Sequence, residues 1–232
     1  MDAANEKQPE FDKSARSYES LFKPWLKVAG ASREYFARSR MNWLALLLRD
    51  LGVAPTRALD FGCGTGMSLP LLSETLGARE IVGLDPSEES LAVAREVDQT
   101  MLLATPDAYH PQGDVDLVFC NGVFHHIPLA ERPGAIGYIY RCLRPGGILA
   151  LWENNPWNPV HDFAMRHSEI DRNAIPVPPP ESRRLVGLER FEVLRTDYLF
   201  FFPGYFSWLR PVERLLIKVP VGAQYQVLAR KT

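Results

Sequence analysis

The chain contains 232 residues, with 26 Lys and Arg against 28 Asp and Glu and a formal net charge of −2. This balance disfavours nucleic-acid packaging and a polybasic membrane foot, because neither polyanionic surface would attract the chain over a long range. With 46% hydrophobic and 23% charged residues, the composition is that of an ordinary globular protein. We expect one domain with additions, since a chain of this length buries roughly 70% of its unfolded surface without needing disulfides or metals.

The cysteines and the chain start point to a reducing compartment. Cys63, Cys120 and Cys142 are an odd number without a C-x-x-C pair, which fits neither a disulfide framework nor a structural zinc site. Residues 1–11 lack the apolar core of a secretory signal. No stretch approaches the roughly 20 apolar residues of a membrane span. The sequence therefore predicts a cytoplasmic protein without a membrane span.

Residues 1–50 are predicted to form an N-terminal helical cap. Between residues 11 and 50 only Pro24 and Gly30 interrupt a pattern of apolar residues at helical spacing. We expect two helices joined near Gly30.

Residues 51–232 are predicted to form the main domain, beginning with alternating strands and helices. Buried strands separated by helices are typical of βαβ units and a parallel sheet covered on both faces. The strand candidates are 58–61, 81–84, 101–104, 115–120 and 148–152, with helix candidates at 67–76 and 129–141.

A lid is predicted to follow the fifth strand, at about residues 154–190. The segment 154–180 is rich in Pro, Asn and His, and its prolines at 176, 178, 179 and 180 are expected to exclude regular helix and central strand. Two further strand candidates, 191–202 and 223–229, flank an aromatic segment at 204–218.

The glycine loop after the first strand is the most informative segment. Glycines at 62, 64 and 66 let the backbone bend tightly and bring a ligand against bare peptide groups. A dinucleotide-binding G-x-G-x-x-G would place its third glycine at position 67, which is Met67. The spacing therefore favours a different ligand.

Two acids next to this loop indicate a cationic ligand that carries a ribose. Asp60 precedes the first glycine by two residues, where it would oppose a pyrophosphate and attract an ammonium group. Asp85 ends the second strand candidate, where an acid can hold a ribose diol.

Together these residues resemble a class I S-adenosylmethionine-dependent methyltransferase. The resemblance covers about residues 55–153, and an ordered set of motifs is far more specific than a glycine loop alone. The matching pieces are the D-x-G-x-G-x-G motif from Asp60, Gly83-Leu84-Asp85-Pro86-Ser87, Asp107-Ala108, Asp116-Leu117-Val118 leading to residues 121–127, and Leu143-Arg144-Pro145-Gly146-Gly147.

The resemblance implies a Rossmann-like α/β fold, with a seven-stranded sheet of order 3-2-1-4-5-7-6 and an antiparallel last strand. It implies S-adenosylmethionine as cofactor and S-adenosylhomocysteine as product. Asp60 would face the methionine ammonium, and Asp85 would hold the ribose hydroxyls. Asp107 would accept a hydrogen bond from the adenine amino group, while the backbone of Ala108 donates to the ring. The other implied cofactor-binding residues are Gly62, Cys63, Gly64, Gly66, Pro86, Asn121 and Tyr18.

Two of these assignments have ordinary structural alternatives. Asn121, expected near the methionine end, also fits a turn residue before Gly122. Tyr18 belongs to a segment that resembles the N-terminal cap of small-molecule members, where the tyrosine helps to close the cofactor pocket. A plain amphipathic helix would produce the same pattern.

His125 and His126 follow the fourth strand candidate, at the edge where open α/β sheets bind ligands. Methyl transfer to oxygen or nitrogen requires alignment and a proton acceptor, and histidine titrates near neutrality. In similar enzymes the histidine before the hydrophobic residue serves as base, so His126 is the first candidate and His125 the second. Alternatively, the pair shapes the cofactor loop. The spacing of the histidines does not fit a metal site.

The acceptor side is less specific. Asn154-Asn155-Pro156-Trp157 is similar to the N-P-P-[YW] box of adenine and glutamine N-methyltransferases, but it follows the fifth strand instead of the fourth. Glu153, Asn154, Asn155 and His161 therefore fit either substrate contacts or loop scaffolding.

The predicted function is methyl transfer to oxygen or nitrogen of a small metabolite, such as a sugar or a secondary-metabolite intermediate. The alternatives are a non-catalytic cofactor-binding partner, and a C-methyltransferase for a quinone-like or lipid-like acceptor. RNA methylation is disfavoured, because the charge is −2 and the chain has no long Lys/Arg run. The chain is expected to be a monomer or a homodimer.

Overall fold

A computed structural model describes residues 30–166 and 174–232. Seven strands form one sheet in the order β3-β2-β1-β4-β5-β7-β6. The strands β1 to β5 are parallel, and β7 runs antiparallel to both β5 and β6. The predicted strand order and the antiparallel last strand are confirmed. The strands are β1 Arg57–Phe61, β2 Glu80–Leu84, β3 Leu102–Ala104, β4 Val115–Asn121, β5 Leu143–Asn154, β6 Phe191–Leu199 and β7 Gln224–Lys231.

Helices cover both faces of the sheet. The described α-helices are α1 Arg33–Asp50, α2 Leu69–Leu76, α3 Glu88–Val97, α4 Arg132–Cys142, α5 Pro159–Arg166, α6 Pro179–Val186 and α7 Glu213–Leu216, with 3-10 turns at Phe124–His126 and Gly204–Val212. Helix α1 is the second of the two helices expected for the cap. The first, together with Tyr18, lies outside the described residues.

Helix starts follow from local hydrogen bonding. The Ser32 hydroxyl accepts from the backbone N–H of Tyr35 at 3.1 Å and caps α1, and Ser87 caps α3 through Ser90 at the same distance. Both satisfy an N–H group that has no partner inside the helix.

The lid segment 154–180 contains helical residues, contrary to the prediction: α5 lies within the segment, and α6 begins near its end. Helix α6 begins at Pro179 and has proline in its first turn. Proline is tolerated there because the first N–H groups of a helix have no intrahelical acceptor, and its fixed φ suits the helix. The prolines therefore mark the start of α6.

Strand β6 is shorter than the predicted 191–202. It ends at Leu199, because Phe200 adopts φ +63° and leaves the extended conformation. The N–H groups of Phe201 and Phe202 donate to Glu213 Oε1, at 3.0 and 2.9 Å, instead of to a strand.

The core forms one layer on each side of the sheet. Met41 of α1 and Leu91 of α3 pack on one face, and Ile139 of α4 and Leu185 of α6 pack on the other. The carboxyl ends of β1 to β6 meet the amino end of β7 at a common edge, where ligands bind in open α/β sheets.

Candidate cofactor and acceptor site

The glycine loop leaves space for a ligand at one position. Gly62 has φ +78°, and a Cβ atom there would lie 2.3 Å from Val123 Cγ2. Gly64 has φ +53°, but a Cβ atom there would meet no atom of residues 30–166 and 174–232 within 4 Å. Gly62 is therefore required by internal packing, whereas the open side of Gly64 lets a ligand reach the backbone.

Cys63 points away from this open side. Its side chain is buried, and its Sγ would lie 3.0 Å from a Cβ atom placed on Gly83 of β2. Burial raises the pKa of the thiol above its usual value, and the nearby Asp60 and Asp85 carboxyls add to the effect. Only the backbone of Cys63 is placed to serve a cofactor, so its side chain fills the gap between the loop and β2.

Asp85 connects the loop to the second strand. One carboxyl oxygen accepts from Gly64 N at 2.8 Å and the other accepts from Ser87 N at 2.9 Å. Asp85 thus holds the glycine loop against the end of β2, and its expected contact with the ribose hydroxyls stays a prediction. Pro86, between these residues, is exposed at the rim.

Asp60 is buried at the carboxyl end of β1, with 3% of its surface exposed. Burial, and to a smaller extent the nearby Asp85 carboxyl, raise its pKa to about 8, although the Arg40 guanidinium opposes the shift. Burial penalises the charged carboxylate unless a cation compensates it. A ligand ammonium group would supply that compensation.

Arg40 of α1 is the charged residue that the sequence analysis missed. It is 7% exposed, and its Nη1 donates to Gln224 Oε1 at 2.9 Å. Its Nε is buried without a hydrogen-bond partner in the described ranges 30–166 and 174–232. Burial lowers its pKa to about 10. Arg40 occupies the buried face of α1 with Ala37, Met41 and Leu44, so a cation within that apolar stripe was the available signal.

Asn121 lies on the same face of the sheet as Asp60. Asp60 is in register with Phe119 across β1 and β4, and Asn121 follows two residues later. Its Oδ1 is buried and has no hydrogen-bond partner among the described residues. Buried polar atoms are normally satisfied, so this acceptor fits a site that a ligand completes.

The adenine end predicted from the sequence is more open. Asp107 and Ala108 are both exposed beyond β3. The N–H of Ala108 donates to the backbone oxygen of Thr105 at 3.1 Å and to its hydroxyl at 3.3 Å. The backbone donor expected for the adenine ring is therefore engaged within its own turn in this conformation, and the adenine assignment stays a prediction.

The two histidines occupy different environments. His125 is 3% exposed, and its Nδ1 lies 2.6 Å from Glu153 Oε2. His126 is half-buried, and its ring centroid lies 4.1 Å from that of His125. Glu153 was expected either to contact substrate or to support a loop. Only 1% of its surface is exposed, and it lies against the histidine turn, which favours the supporting role.

The described part of the lid is tied to the histidine turn. Arg132 donates from Nη2 to Ile175 O at 2.7 Å and from Nε to Ile127 O at 3.0 Å. Ile175 N donates in turn to His125 O at 2.8 Å. Tyr225 OH donates to Val177 O at 2.7 Å. These bonds hold Ile175 and Val177 of the lid against the turn after β4 and against β7.

The asparagines after β5 have separate roles. Asn155 is fully buried and donates to Gly222 O at 2.8 Å, so it scaffolds the loop before β7. Asn154 is half-buried, and its Oδ1 accepts from Gln224 Nε2 at 3.0 Å. His161 is half-buried on α5, with its N–H bonded to Asn158. Of these, Asn154 lies next to the pair formed by Gln224 and Arg40 at the site.

Residues 30–166 and 174–232 contain no group of three or more His, Cys, Asp or Glu side chains arranged to hold a metal ion. No helix within these ranges is long and apolar enough to cross a membrane.

Residues 59–151 match the family described as a methyltransferase domain. A trans-aconitate 2-methyltransferase of Acidovorax sp. (strain JS42) is 36% identical over 108 residues, which cover 46% of this chain and 41% of that relative. A ubiquinone biosynthesis O-methyltransferase of Aromatoleum aromaticum is 29% identical over 181 residues, covering 68% of this chain and 74% of that relative. The chain spans about half the length of the trans-aconitate relatives that it matches.

Solved structures share the fold at low sequence identity. A methyltransferase of Thermotoga maritima, described as a possible histamine N-methyltransferase, is 16% identical with a TM-score of 0.65, covering 96% of this chain and 98% of that one. A putative sarcosine dimethylglycine methyltransferase from Galdieria sulphuraria is also 16% identical with a TM-score of 0.65, covering 95% and 99%.

Proposed function

We propose that this chain, which belongs to the class I S-adenosylmethionine-dependent methyltransferases, transfers a methyl group to oxygen or nitrogen of a small metabolite. S-adenosylmethionine is the cofactor, and when bound it supplies a methyl carbon activated by a sulfonium leaving group. The observation that carries the proposal is the charge arrangement beside Gly64. The buried Asp60 carboxyl precedes the loop by two residues, and the buried Arg40 guanidinium lies close enough to lower the pKa of that carboxyl.

These two charges complement the methionine end of the cofactor. An amino acid group carries an ammonium and a carboxylate, and each would compensate one buried charge of the chain. Asp60 would hold the ammonium, with the buried Oδ1 of Asn121 as a second acceptor. Arg40 would bind the carboxylate through the Nε that has no hydrogen-bond partner among the described residues. Asp85 would accept from the ribose hydroxyls, and Asp107 from the adenine amino group.

His126 is the proposed general base. With S-adenosylmethionine bound, its sulfonium group would supply the methyl group, and the imidazole of His126 would accept the proton that the acceptor oxygen or nitrogen loses. His126 is half-buried at the end of β4, whereas His125 is almost completely enclosed. The more accessible ring is better placed to reach a substrate proton.

A polar acceptor fits the chemistry of the adjoining edge. Asn154 and Gln224 are half-buried, and Gln224 accepts a hydrogen bond from Arg40, so this edge presents a wall of amide groups beside the arginine that is proposed to hold the cofactor carboxylate. Hydroxyl and carboxylate groups are the natural partners of such a wall. A relative named for trans-aconitate agrees with a small polar acceptor, and a sugar or secondary-metabolite intermediate belongs to the same class. We propose a cytoplasmic monomer or homodimer that acts without nucleic acid.

The relative named for ubiquinone biosynthesis supports a second candidate, a quinone-like acceptor. The two are separated by measuring transfer of a labelled methyl group to a panel of hydroxy acids, sugars, amines and quinols. We expect transfer to polar acceptors. Transfer to quinols alone would favour the second candidate.

Calorimetry tests the cofactor step independently of any acceptor. We expect S-adenosylmethionine and S-adenosylhomocysteine to bind with micromolar affinity. If neither binds at millimolar concentration, the proposed function is wrong. Binding without transfer to any acceptor of the panel would instead indicate a non-catalytic cofactor-binding protein.

A further inference from the structure

We propose that Glu153 is a positioning residue for the histidine pair: it fixes the tautomer and position of His125, and through His125 the orientation of His126, the ring proposed to receive the acceptor proton. This inference rests on the proposed function, because it concerns the same proton transfer. It assigns Glu153 to the machinery although Glu153 is 1% exposed and is not placed to touch an acceptor.

The first step of the argument is how Glu153 holds the turn after β4. Its Oε1 accepts from Val123 N at 3.1 Å and from Phe124 N at 2.7 Å. These are the N–H groups at the start of the 3-10 turn Phe124–His126, which have no acceptor within the turn. Since β5 is paired on both sides, to β4 and to β7, Glu153 is a rigid support for this turn.

The second step concerns the other oxygen. Glu153 Oε2 lies 2.6 Å from His125 Nδ1. A carboxylate at this distance accepts a hydrogen bond from Nδ1–H and so favours the tautomer that carries its proton on Nδ1, in which Nε2 is the ring nitrogen with the basic lone pair. A carboxylate that orients a histidine in this way fixes its tautomer and stabilises the imidazolium that forms.

The third step extends the effect to His126. Its ring centroid is 4.1 Å from that of His125, at an interplanar angle of 46°, so one ring limits the positions of the other. His125 is further held by its backbone oxygen, which accepts from Ile175 N. The chain therefore anchors the buried histidine from two sides, and His126 packs against an imidazole whose position is fixed.

The carboxylate also has an electrostatic consequence. A negative charge near the histidines favours their protonated forms. Removing it would lower the pKa of the pair, so that the base stays neutral to lower pH and accepts a proton less readily. The acid limb of the pH–rate profile should then move to lower pH, while the plateau rate falls.

The test compares Glu153→Gln with a matched control, Glu213→Gln. Glu213 Oε1 also accepts from two consecutive N–H groups, those of Phe201 and Phe202, but no histidine lies in that arrangement. We expect both variants to lose a similar amount of stability and to bind S-adenosylhomocysteine as the wild type does. Only Glu153→Gln should lower kcat, by about 10- to 100-fold, and move the acid limb by about one pH unit.

A readout without turnover tests the same inference. In ¹⁵N NMR spectra of the histidine rings, His125 should show the Nδ1–H tautomer in the wild type and in Glu213→Gln. It should lose that preference in Glu153→Gln. Unchanged tautomers, or identical kcat and pH profiles for the two Gln variants, would overturn the inference even when the wild type turns over. Absence of turnover in the wild type would instead count against the proposed function, and the NMR result would still decide the role of Glu153.

A double-mutant cycle of Glu153 and His126 separates a positioning role from general destabilisation. In a His126→Ala background, Glu153→Gln should reduce the remaining rate by less than twofold, because the ring it positions is gone. A full 10- to 100-fold loss in that background would show that Glu153 acts independently of His126 and would contradict the inference.

Discussion

The cofactor half and the acceptor half of the sheet are built differently. Around β1 to β3, backbone N–H groups make the hydrogen bonds that shape the site. Asp85 accepts from Gly64, 21 residues away, and from Ser87, 2 residues away. Around β5 to β7, side chains bond across longer separations, 70 residues for Asn154 with Gln224 and 184 for Arg40 with Gln224. A ligand site formed by the backbone requires particular residues at fixed spacing in the sequence. A site formed by side chains requires only that the fold brings compatible groups together.

This difference explains why the cofactor is identified more readily than the acceptor. Glycines with positive φ and acids at strand ends leave a short, ordered motif in the chain. The contacts of the acceptor half leave no such motif. Variants in the two halves should therefore differ in what they change: cofactor affinity in the first, and lid stability or acceptor kinetics in the second.

The largest effect is expected at Gly62. Gly62→Ala should cost about 3 kcal/mol of unfolding free energy, because it adds strain at φ +78° and a contact of 2.3 Å with Val123. Gly64→Ala is the control for Gly62→Ala, since its Cβ atom would meet no atom of the described residues within 4 Å. It should lower the unfolding free energy by only about 1 kcal/mol but weaken cofactor binding by at least tenfold. Thermal unfolding and calorimetry measure both, and equal affinities for Gly64→Ala and wild type would disprove the open cradle.

The next effect is the pH dependence of cofactor binding through Asp60. Because its pKa is raised to about 8, the carboxyl is protonated at pH 7 and must release its proton to pair with an ammonium group. Apparent affinity should therefore rise by up to tenfold per pH unit from about pH 6 towards pH 8, and then level off. Calorimetry in buffers of different ionisation enthalpy would detect the released proton.

Asp60→Asn provides the control for this titration. It should bind the cofactor about 10- to 100-fold more weakly at pH 8, because a charge-assisted hydrogen bond is lost. The rise in affinity between pH 6 and pH 8 should disappear. A rise that persists in the variant would assign the titration to another group.

A smaller effect is expected at Arg40, which connects the two halves. Arg40→Met should weaken cofactor binding by about tenfold and move the pH dependence to higher pH, because Arg40 lowers the pKa of Asp60. Arg38→Met is the control on the same helix, since the Arg38 side chain is 51% exposed and pairs with Glu34 at the surface. Equal affinities for both variants would remove Arg40 from the cofactor site.

The smallest effect is expected in the lid. Tyr225→Phe removes hydrogen bonds to Val177 O and to Ser182 Oγ, and should cost about 1 kcal/mol of stability. It should raise the acceptor KM a few-fold and leave cofactor affinity unchanged. Tyr140→Phe is the control, because its hydroxyl contacts Thr232 O at the opposite edge of the sheet. A loss of cofactor affinity in Tyr225→Phe would show that the two halves are not separable.

The sequence by itself indicated the α/β fold class, and the family resemblance carried by its ordered motifs predicted the strand order and the cofactor. Alternating buried strands and helices, the glycines at 62, 64 and 66 and the acids at strand ends are local patterns, and the physical requirements of a tight turn and a parallel sheet make them legible. The near-neutral net charge hid a concentration of buried charge at one edge, which the positions of Asp60 and Asp85 already indicated.

Only the tertiary structure decided the rest. Burial of Arg40 opposite Asp60, the support of His125 by Glu153, and the start of α6 at Pro179 depend on which elements pack together. A long-range contact between side chains imposes no spacing on the chain, so the sequence pattern cannot reveal it. The same reasoning applies to the proposed acceptor wall, because Asn154, Gln224 and Arg40 come from three distant segments of the chain.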